Sequence, residues 1–207
     1  MTKTNFRRNW ADSFNSKNFK TQFVLTFALL GILLFSLSYF FAFVEARAGQ
    51  RVNDVILNLT SPFDLSIATF LLIYFAAFLC IITLLNKPFL FLKAVQAYFL
   101  ILILRIITLT IFPLEPPEGI ILLKDPFIEH FFYGQVRITK DLFFSGHVAT
   151  VCLLYLVNPI KKLNWFYLSV FILVAVFIML QRVHYSFDVL AAPLFAWISW
   201  RLAQRIR

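Results

Sequence analysis

Six apolar runs, each close to the length that an α-helix needs to cross a bilayer, constrain this chain more than any other feature. A helix needs about 20 apolar residues to span the hydrocarbon core. Of the 207 residues, 61% are hydrophobic, which is more apolar surface than a soluble domain of this size can bury. The sequence therefore predicts an all-α integral membrane protein with six transmembrane helices. They are expected at about 22–44, 65–85, 89–112, 142–158, 163–181 and 187–203.

One membrane domain, residues 22–203, is flanked by basic tails at 1–21 and 204–207. Aromatic residues recur in the first tail at roughly helical spacing, which fits a short helix on an anionic leaflet and an unstructured interfacial tail equally well. The long apolar run behind this tail has no small-residue cleavage site, so we interpret it as a membrane helix rather than a signal peptide. Cys80 and Cys152 are expected to be small buried hydrophobic residues.

The distribution of charge between the loops predicts the orientation in the membrane. Both tails and the loops at 86–93 and 159–162 are rich in lysine and arginine, and together they hold one acid, Asp12. The other acids fall in the loops at 45–64, 113–141 and 182–188. Because cytoplasmic loops carry an excess of Lys and Arg, both termini are predicted to be cytoplasmic. The net charge of +9 then reflects topology, and no nucleic-acid partner is expected.

Two short polar segments interrupt the apolar runs. Residues 140–147 read Lys-Asp-Leu-Phe-Phe-Ser-Gly-His, and residues 182–188 read Arg-Val-His-Tyr-Ser-Phe-Asp. Ionisable groups at membrane depth are costly and tend to be functional. The Lys and Arg count places His147, His184 and Asp188 on one side, the extracytoplasmic side. We therefore expect an active site facing the periplasm of a bacterium, or the lumenal or outer face in a eukaryote.

These segments contain the groups that phosphoryl transfer needs. The fourth and sixth runs begin at the outer surface, so their helix N-termini would offer free N–H groups to an anion. Ser145 is a capping residue, and Gly146 lets an anion approach the backbone closely. Asp188 lies four residues after His184, which on a helix puts both on one face. The carboxylate would orient one imidazole nitrogen and leave the other as nucleophile or base, while His147 protonates the leaving oxygen.

Arg105 is a third polar signal, because it is the only basic residue in the interior of a predicted span. An arginine there faces protein or a polar cavity, and its guanidinium fits phosphate oxygens. We interpret Arg105 as phosphate-binding or active-site support. The alternative is a structural ion pair with Asp141 or Glu115.

The remaining polar residues near the motifs have less specific roles. Arg182 either contacts phosphate or anchors its helix among the lipid headgroups, and the two interpretations are equally good. Asp141 either orients His147 or caps the fourth helix. We expect Lys140 to bind the substrate phosphate or to support its binding. His130 has no partner at helical spacing and is interpreted as an interfacial or loop residue.

At these residues the chain resembles the sphingomyelin synthase-like branch of the type 2 phosphatidic acid phosphatase superfamily. The two motifs of that branch read G-D-x-x-F-S-G-H-T and H-Y-T-x-D-V, and residues 140–148 and 184–189 are similar to them. Residues 105–114 resemble its motif on the third helix, and residues 54–64 resemble its acidic element before the second helix. The resemblance extends over roughly residues 50–195.

The resemblance implies a bundle of six helices with the active site at the outer membrane surface. It implies a triad of His147, His184 and Asp188. In that triad His184 is the nucleophile that carries the phospho-headgroup, and Asp188 orients it. His147 is the acid on the leaving group and later activates the acceptor. Neither a metal nor another cofactor is implied.

The chain departs from the family pattern at a few positions. Lys140 stands where the branch has glycine, Val148 where it has threonine, and Ser186 where its second motif has threonine. The K-x-x-x-x-x-x-R-P motif of the wider superfamily is absent from the sequence. Ile178 occupies the position of the superfamily arginine six residues before the second histidine. The absence of that superfamily motif and of that arginine favours the synthase branch over phosphatases that act on soluble headgroups.

The expected function is transfer of a phospho-headgroup from a glycerophospholipid to ceramide or diacylglycerol. The near alternative is a lipid phosphate phosphatase or phospholipase C-like hydrolase with the same triad. A transporter or lipid scaffold is a weaker alternative, because the chain has only 5 glycines and few of the helix breaks that transporters use. Membrane lipids are the expected partners, and the sequence leaves the oligomeric state open.

Overall fold

The computed structural model describes residues 3–124 and 138–206, and these residues form helices and no strand. His130 lies outside the described residues, so its interpretation as a loop or interfacial residue stays a prediction. The helices are α1 (Lys3–Asn15), α2 (Lys17–Ala46), α3 (Val55–Asn58), α4 (Ser66–Leu84), α5 (Pro88–Ile111), α6 (Gly146–Val157), α7 (Asn164–Leu180) and α8 (Ser186–Arg205), with a 3₁₀ turn at Lys161–Leu163.

Four segments of the described chain are helices long and apolar enough to cross a membrane. They are Lys17–Ala46, Ser66–Leu84, Pro88–Ile111 and Lys161–Leu180, and they correspond to the first, second, third and fifth expected spans. Large apolar side chains remain exposed on them, for example Phe35, Ile67 and Leu71. An apolar exterior of this kind is suited to lipid rather than water. These helices support the predicted helical integral membrane protein.

The fourth and sixth expected spans differ from these four. α6 is an apolar helix of only 12 residues, shorter than the expected run at 142–158, because the helix begins at Gly146. α8 has 20 residues but is less apolar, since it carries Asp188, Pro193 and Arg201. Both helices begin within or directly after the polar segments, and we call the end of the bundle where they start the motif end.

The main core lies where α6 packs against α5, α7 and α8, with α4 against α6 and α7. Small side chains occupy the tightest contacts, and Ala76, Ala97, Ala192 and Ala196 are fully buried. Small residues allow helix backbones to approach closely in membrane proteins. Cys80 and Cys152 are buried free thiols, which confirms their interpretation as small hydrophobic residues.

The first tail contains a helix that packs on the bundle. α2 begins at Lys17, five residues before the expected start at residue 22, and Ser16 is its N-cap. The indole of Trp10 in α1 donates a hydrogen bond of 2.7 Å to the carbonyl of Leu85 after α4. Phe14 and Phe19 contact each other edge to face at a centroid distance of 5.4 Å. Of the two interpretations of this tail, the structure contains the helix.

Candidate active site

The second polar segment brings His184 and Asp188 together without a helical turn between them. α8 begins at Ser186, so His184 precedes the helix and the four-residue spacing is not a helical one. Instead, the carboxylate of Asp188 accepts a hydrogen bond of 3.0 Å from the backbone N–H of Tyr185, which folds the preceding chain back over the helix start. Nδ1 of His184 thereby lies 3.4 Å from Oδ2 of Asp188.

Both side chains of this pair are buried. Only 1% of His184 and none of Asp188 is exposed. Nδ1 of His184 and Oδ1 of Asp188 have no hydrogen-bond partner among the described residues. Buried polar groups without partners are uncommon in folded proteins, and catalytic hydrogen bonds often tighten only when substrate binds.

The first polar segment forms the start of α6. Ser145 is the N-cap, and its hydroxyl accepts a long hydrogen bond of 3.5 Å from the N–H of Val148. Gly146 and His147 are the first two helical residues. The imidazole of His147 is half-buried and meets the ring of Phe70 in α4 edge to face at 5.7 Å. His147 is therefore a side chain of the first turn, where free N–H groups and the helix dipole favour an anion.

The two segments are in direct contact. The N–H of Ser145 donates a hydrogen bond of 3.2 Å to the carbonyl oxygen of Asp188. One residue earlier, the ring of Phe144 stacks on Phe195 of α8 with centroids 4.1 Å apart. Helices α6 and α8 therefore start side by side. His147 lies two residues after Ser145, which donates this hydrogen bond, and His184 directly precedes Tyr185, whose N–H binds the carboxylate of Asp188.

Arg105 of α5 lies against the start of α6. Its guanidinium donates to the carbonyl oxygen of Phe144 and to the carboxylate of Asp141, with which it forms an ion pair. The side chain is almost fully buried. The hydroxyl of Thr108, one turn further along α5, donates to the carbonyl of Phe143 at 2.9 Å. The carbonyls of Phe143 and Phe144 therefore accept hydrogen bonds from α5 instead of from N–H groups of α6. This is why α6 begins only at Gly146.

The contact between Arg105 and Gly146 is possible because glycine has no side chain. A Cβ added at Gly146 would lie 2.5 Å from Nη1 and 2.7 Å from Cζ of Arg105. Such distances are too short for any side chain, and the guanidinium is held in place by Phe144 and Asp141. Gly146 therefore allows a cationic group to reach the N-terminus of α6.

We expect Gly146→Ala to lower turnover by about 10²-fold, because Arg105 must leave its position at the candidate active site. The helix itself should tolerate the change, since alanine favours helix more than glycine does. The measurement is turnover of reconstituted protein alongside its melting temperature. Gly31→Ala is the matched control, because nothing lies within 4 Å of a Cβ there. Normal turnover in Gly146→Ala would contradict a role for this contact.

Two basic residues of the motifs are bonded to the loops. The guanidinium of Arg182 donates to the carbonyls of Glu118 at 2.8 Å, Leu57 at 3.1 Å and Thr60 at 2.5 Å. The ammonium of Lys140 donates to the carbonyl of Arg47 at 2.6 Å and to Oε1 of Glu115 at 2.8 Å. Asp141 pairs with Arg105, one of the two partners that the sequence analysis considered for that arginine.

The structure adds polar residues to which sequence reasoning assigned no role. Gln181 is fully buried and joins the start of α4 to the loop after α5, since its side-chain N–H donates to the hydroxyl of Ser66 at 2.7 Å and its backbone carbonyl accepts from the N–H of Ile121. The hydroxyl of Tyr185 donates to the carbonyl of Glu115 at 2.9 Å. The sequence signal for Gln181 was its position beside Arg182, and Tyr185 belongs to the second motif, which assigned it no role.

Asp54 is the most direct of these additions, because it supports the start of α8. Its Oδ2 accepts a hydrogen bond of 2.6 Å from the N–H of Ser186, and its Oδ1 accepts from the N–H groups of Ile56 and Leu57. Burial alone would raise the pKa of the Asp54 carboxyl, but the hydrogen bonds from Ser186, Leu57 and Ile56 hold that pKa below its ordinary value. The carboxylate thus connects α3 to the second motif.

We expect Asp54→Asn to lower the melting temperature in detergent, because hydrogen bonds to a charged acceptor contribute roughly 1.5–3 kcal/mol. A lowered folded-state pKa means that the carboxylate stabilises the fold fully above the unfolded-state value and loses that effect as pH falls through the folded-state value. The difference between wild type and variant should therefore be largest near neutral pH and shrink below the ordinary pKa of 3.8. A difference that grows on acidification would contradict this account.

Comparison with known proteins adds one match. Residues 140–205 match a family model described as PAP2 superfamily C-terminal, and this segment contains both histidine motifs. The resemblance to the superfamily is thereby confirmed for this part of the chain. The match indicates phosphatase or phosphotransferase chemistry, as in that superfamily, and does not distinguish the synthase-like branch. No curated protein and no solved structure matches the chain.

Proposed function

We propose that this protein is a membrane lipid phosphotransferase that moves a phospho-headgroup from a glycerophospholipid to ceramide or diacylglycerol. The observation that carries the proposal is the contact between the two motif segments, in which a buried His184–Asp188 pair adjoins the N-terminus of α6 and its His147. A nucleophile, an orienting carboxylate, a second histidine and an anion-binding helix start are the groups that metal-free phosphoryl transfer uses.

In the first half of the proposed reaction, Nε2 of His184 attacks the phosphorus of the donor lipid. Asp188 faces Nδ1 and stabilises the positive charge that develops on the imidazole. The bond between phosphorus and the diacylglycerol oxygen breaks, and His147 gives its proton to that oxygen. Diacylglycerol leaves, and the phospho-headgroup remains on His184 through a P–N bond.

In the second half, His147 takes the proton from the hydroxyl of the acceptor lipid. The acceptor oxygen attacks phosphorus, the P–N bond breaks, and His184 is restored. Negative charge on the phosphoryl oxygens is stabilised by the N-terminus of α6 and by Arg105 beside Gly146. Each proton transfer is typically worth about 10²–10⁴-fold in rate.

The proposed topology has six spans, with both termini in the cytoplasm and the active site on the extracytoplasmic side. The lysine and arginine bias supports this orientation. The short length of α6 is compatible with a span that starts below the membrane surface, with residues 142–145 completing the crossing as non-helical chain. Non-helical backbone is tolerated at membrane depth where it is buried in protein, and Phe144 and Ser145 are fully buried.

Hydrolysis is the alternative outcome of the same chemistry, with water in place of the acceptor lipid. The superfamily match of residues 140–205 supports this alternative as well as the transferase, because the same triad carries both reactions.

Lipid analysis tests the function and separates the two reactions. The protein is expressed in a host that lacks sphingolipids, reconstituted with a labelled glycerophospholipid, and supplied with or without ceramide. A transferase releases diacylglycerol together with a new phospholipid that appears only with the acceptor, and mass spectrometry detects both. Diacylglycerol with a free phosphorylated headgroup establishes the hydrolase. If the wild-type protein releases no diacylglycerol either with or without ceramide, the proposed function is overturned.

A further inference from the structure

Lys140 stands at a junction between the loops of the motif end and the active site. It directly precedes Asp141, the ion-pair partner of Arg105. Its ammonium donates hydrogen bonds of 2.6 Å to the carbonyl of Arg47 and 2.8 Å to Oε1 of Glu115. Only 17% of the Lys140 side chain and 28% of the Glu115 side chain is exposed, so the pair is partly shielded from water.

The carboxylate of Glu115 is itself fixed. Its Oε1 also accepts a hydrogen bond of 2.8 Å from the N–H of Gly49. Its backbone N–H donates to the carbonyl of Gln50 at 3.0 Å, where Gln50 and Leu114 form a parallel bridge. The loop after α2 and the loop after α5 therefore form one connected unit with Glu115 at its centre.

The backbone around Lys140 is held by a second acid. The carboxylate of Glu45, near the end of α2, accepts hydrogen bonds from the N–H groups of Thr139 and Lys140 and from the hydroxyl of Thr139. The guanidinium of Arg47 donates to the carbonyls of Leu109 and Thr110 in the last turn of α5. Residues 139 and 140 are thus attached to α2 and α5 immediately before the first motif.

From Lys140 the contacts continue to the active site. Asp141 pairs with Arg105, and the guanidinium of Arg105 lies against Gly146 and binds the carbonyl of Phe144. A displacement of Lys140 would move Asp141, and through it the arginine that faces the start of α6.

We propose that the ion pair of Lys140 and Glu115 is a positioning device for the first histidine motif, which holds Asp141 and Arg105 in place at the N-terminus of α6. This inference rests on the proposed function, because it assigns Lys140 a part in the geometry of that active site. It places the ammonium of Lys140 in the loop unit, where it contacts the carbonyl of Arg47 and the carboxylate of Glu115.

Kinetics of three variants test the proposal. Lys140→Met and Glu115→Gln each remove the ion pair, and Lys140→Arg keeps a cation at the same place. We expect kcat to fall about 10- to 100-fold in the first two variants with KM for the lipid donor unchanged, because a misplaced active-site group affects the transition state more than ground-state binding. Lys140→Arg should retain most of the wild-type kcat. In the double variant the losses should not add, since both changes remove one interaction.

Hydrogen exchange supplies the readout that does not depend on catalysis. Amides of residues 138–147 should exchange faster in Lys140→Met than in wild type, and Lys161→Met, an exposed lysine on the 3₁₀ turn, should leave them unchanged. If the wild-type protein transfers and hydrolyses nothing, the proposed function fails, while the exchange rates still decide the positioning role.

Three results would overturn the inference. A raised KM with unchanged kcat in Lys140→Met would make Lys140 a substrate-binding residue. Equal losses in Lys140→Arg and Lys140→Met would show that the cation is not what matters. Unchanged exchange of residues 138–147 would show that the pair does not hold this segment.

Discussion

His184→Ala is expected to lower turnover by about 10⁴-fold or more, because it removes the proposed nucleophile and with it the P–N intermediate. The buried position of His184 makes folding a necessary control, so melting temperature and monodispersity in detergent are measured with turnover. A labelled donor should leave an acid-labile label on the wild-type protein and none on the variant. Asp188→Asn combined with His184→Ala should be no slower than His184→Ala alone, because the two side chains act as a unit.

A matched histidine separates this effect from the general consequences of removing an imidazole. His130→Ala should retain normal turnover, since no partner at helical spacing predicts a role for His130. Near-wild-type activity in His184→Ala would contradict the mechanism. If His184→Ala unfolds, His184→Gln, which keeps most of the side-chain volume, provides the test on a folded protein.

His147→Ala is expected to lower turnover of natural lipid donors by about 10²–10⁴-fold, because the leaving alkoxide then departs without a proton. The loss should depend on the leaving group. A donor ester with an acidic phenol as leaving group needs no proton, so attack by His184 on that donor should be nearly normal in the variant. Breakdown of the intermediate still needs His147 to activate the acceptor, so labelled enzyme should accumulate.

The measurement compares turnover of the natural lipid with turnover of the phenol ester. Stopped-flow absorbance records release of the phenol, and the label retained on the protein records the intermediate. A burst of phenol followed by slow turnover supports the assigned role of His147. Equal losses with the natural lipid and the phenyl ester would show that His147 acts elsewhere than on the leaving group. The corresponding experiment with His184→Ala should give no burst with either donor.

The length of α6 could not be predicted from composition. Hydropathy alone does not place the helix start within the run at 142–158, but Ser145 was predicted as a capping residue, and α6 begins directly after it at Gly146. The boundary depends on Arg105 and Thr108, which bind the carbonyls of Phe144 and Phe143 from a helix more than 30 residues away in sequence. These long-range hydrogen bonds act together with the local cap at Ser145, and no pattern within residues 142–158 contains them.

The contacts of the basic residues Lys140 and Arg182 could not be predicted from the sequence either. A lysine beside a histidine motif and an arginine at a helix start both fit phosphate binding when only their chemistry is known. In the structure Lys140 and Arg182 contact carbonyl and carboxylate oxygens of loops that lie far along the chain. The partner of a long flexible cation is decided by which acceptors the fold brings within reach, and no local pattern contains that information.

Features that follow from local chemistry were predictable before the fold was known. Long apolar runs predict membrane helices because unpaired backbone groups are too costly in lipid. The residue types of 140–147 and 182–188 identified His147, His184 and Asp188 as candidates. How His184 and Asp188 meet follows from the folded chain: the carboxylate of Asp188, in the first turn of α8, accepts from the N–H of Tyr185, and His184 lies just before the helix rather than one turn along it. Only the tertiary structure decided the approach of Arg105 to Gly146, because it arises from packing between helices, which spacing along one helix does not encode.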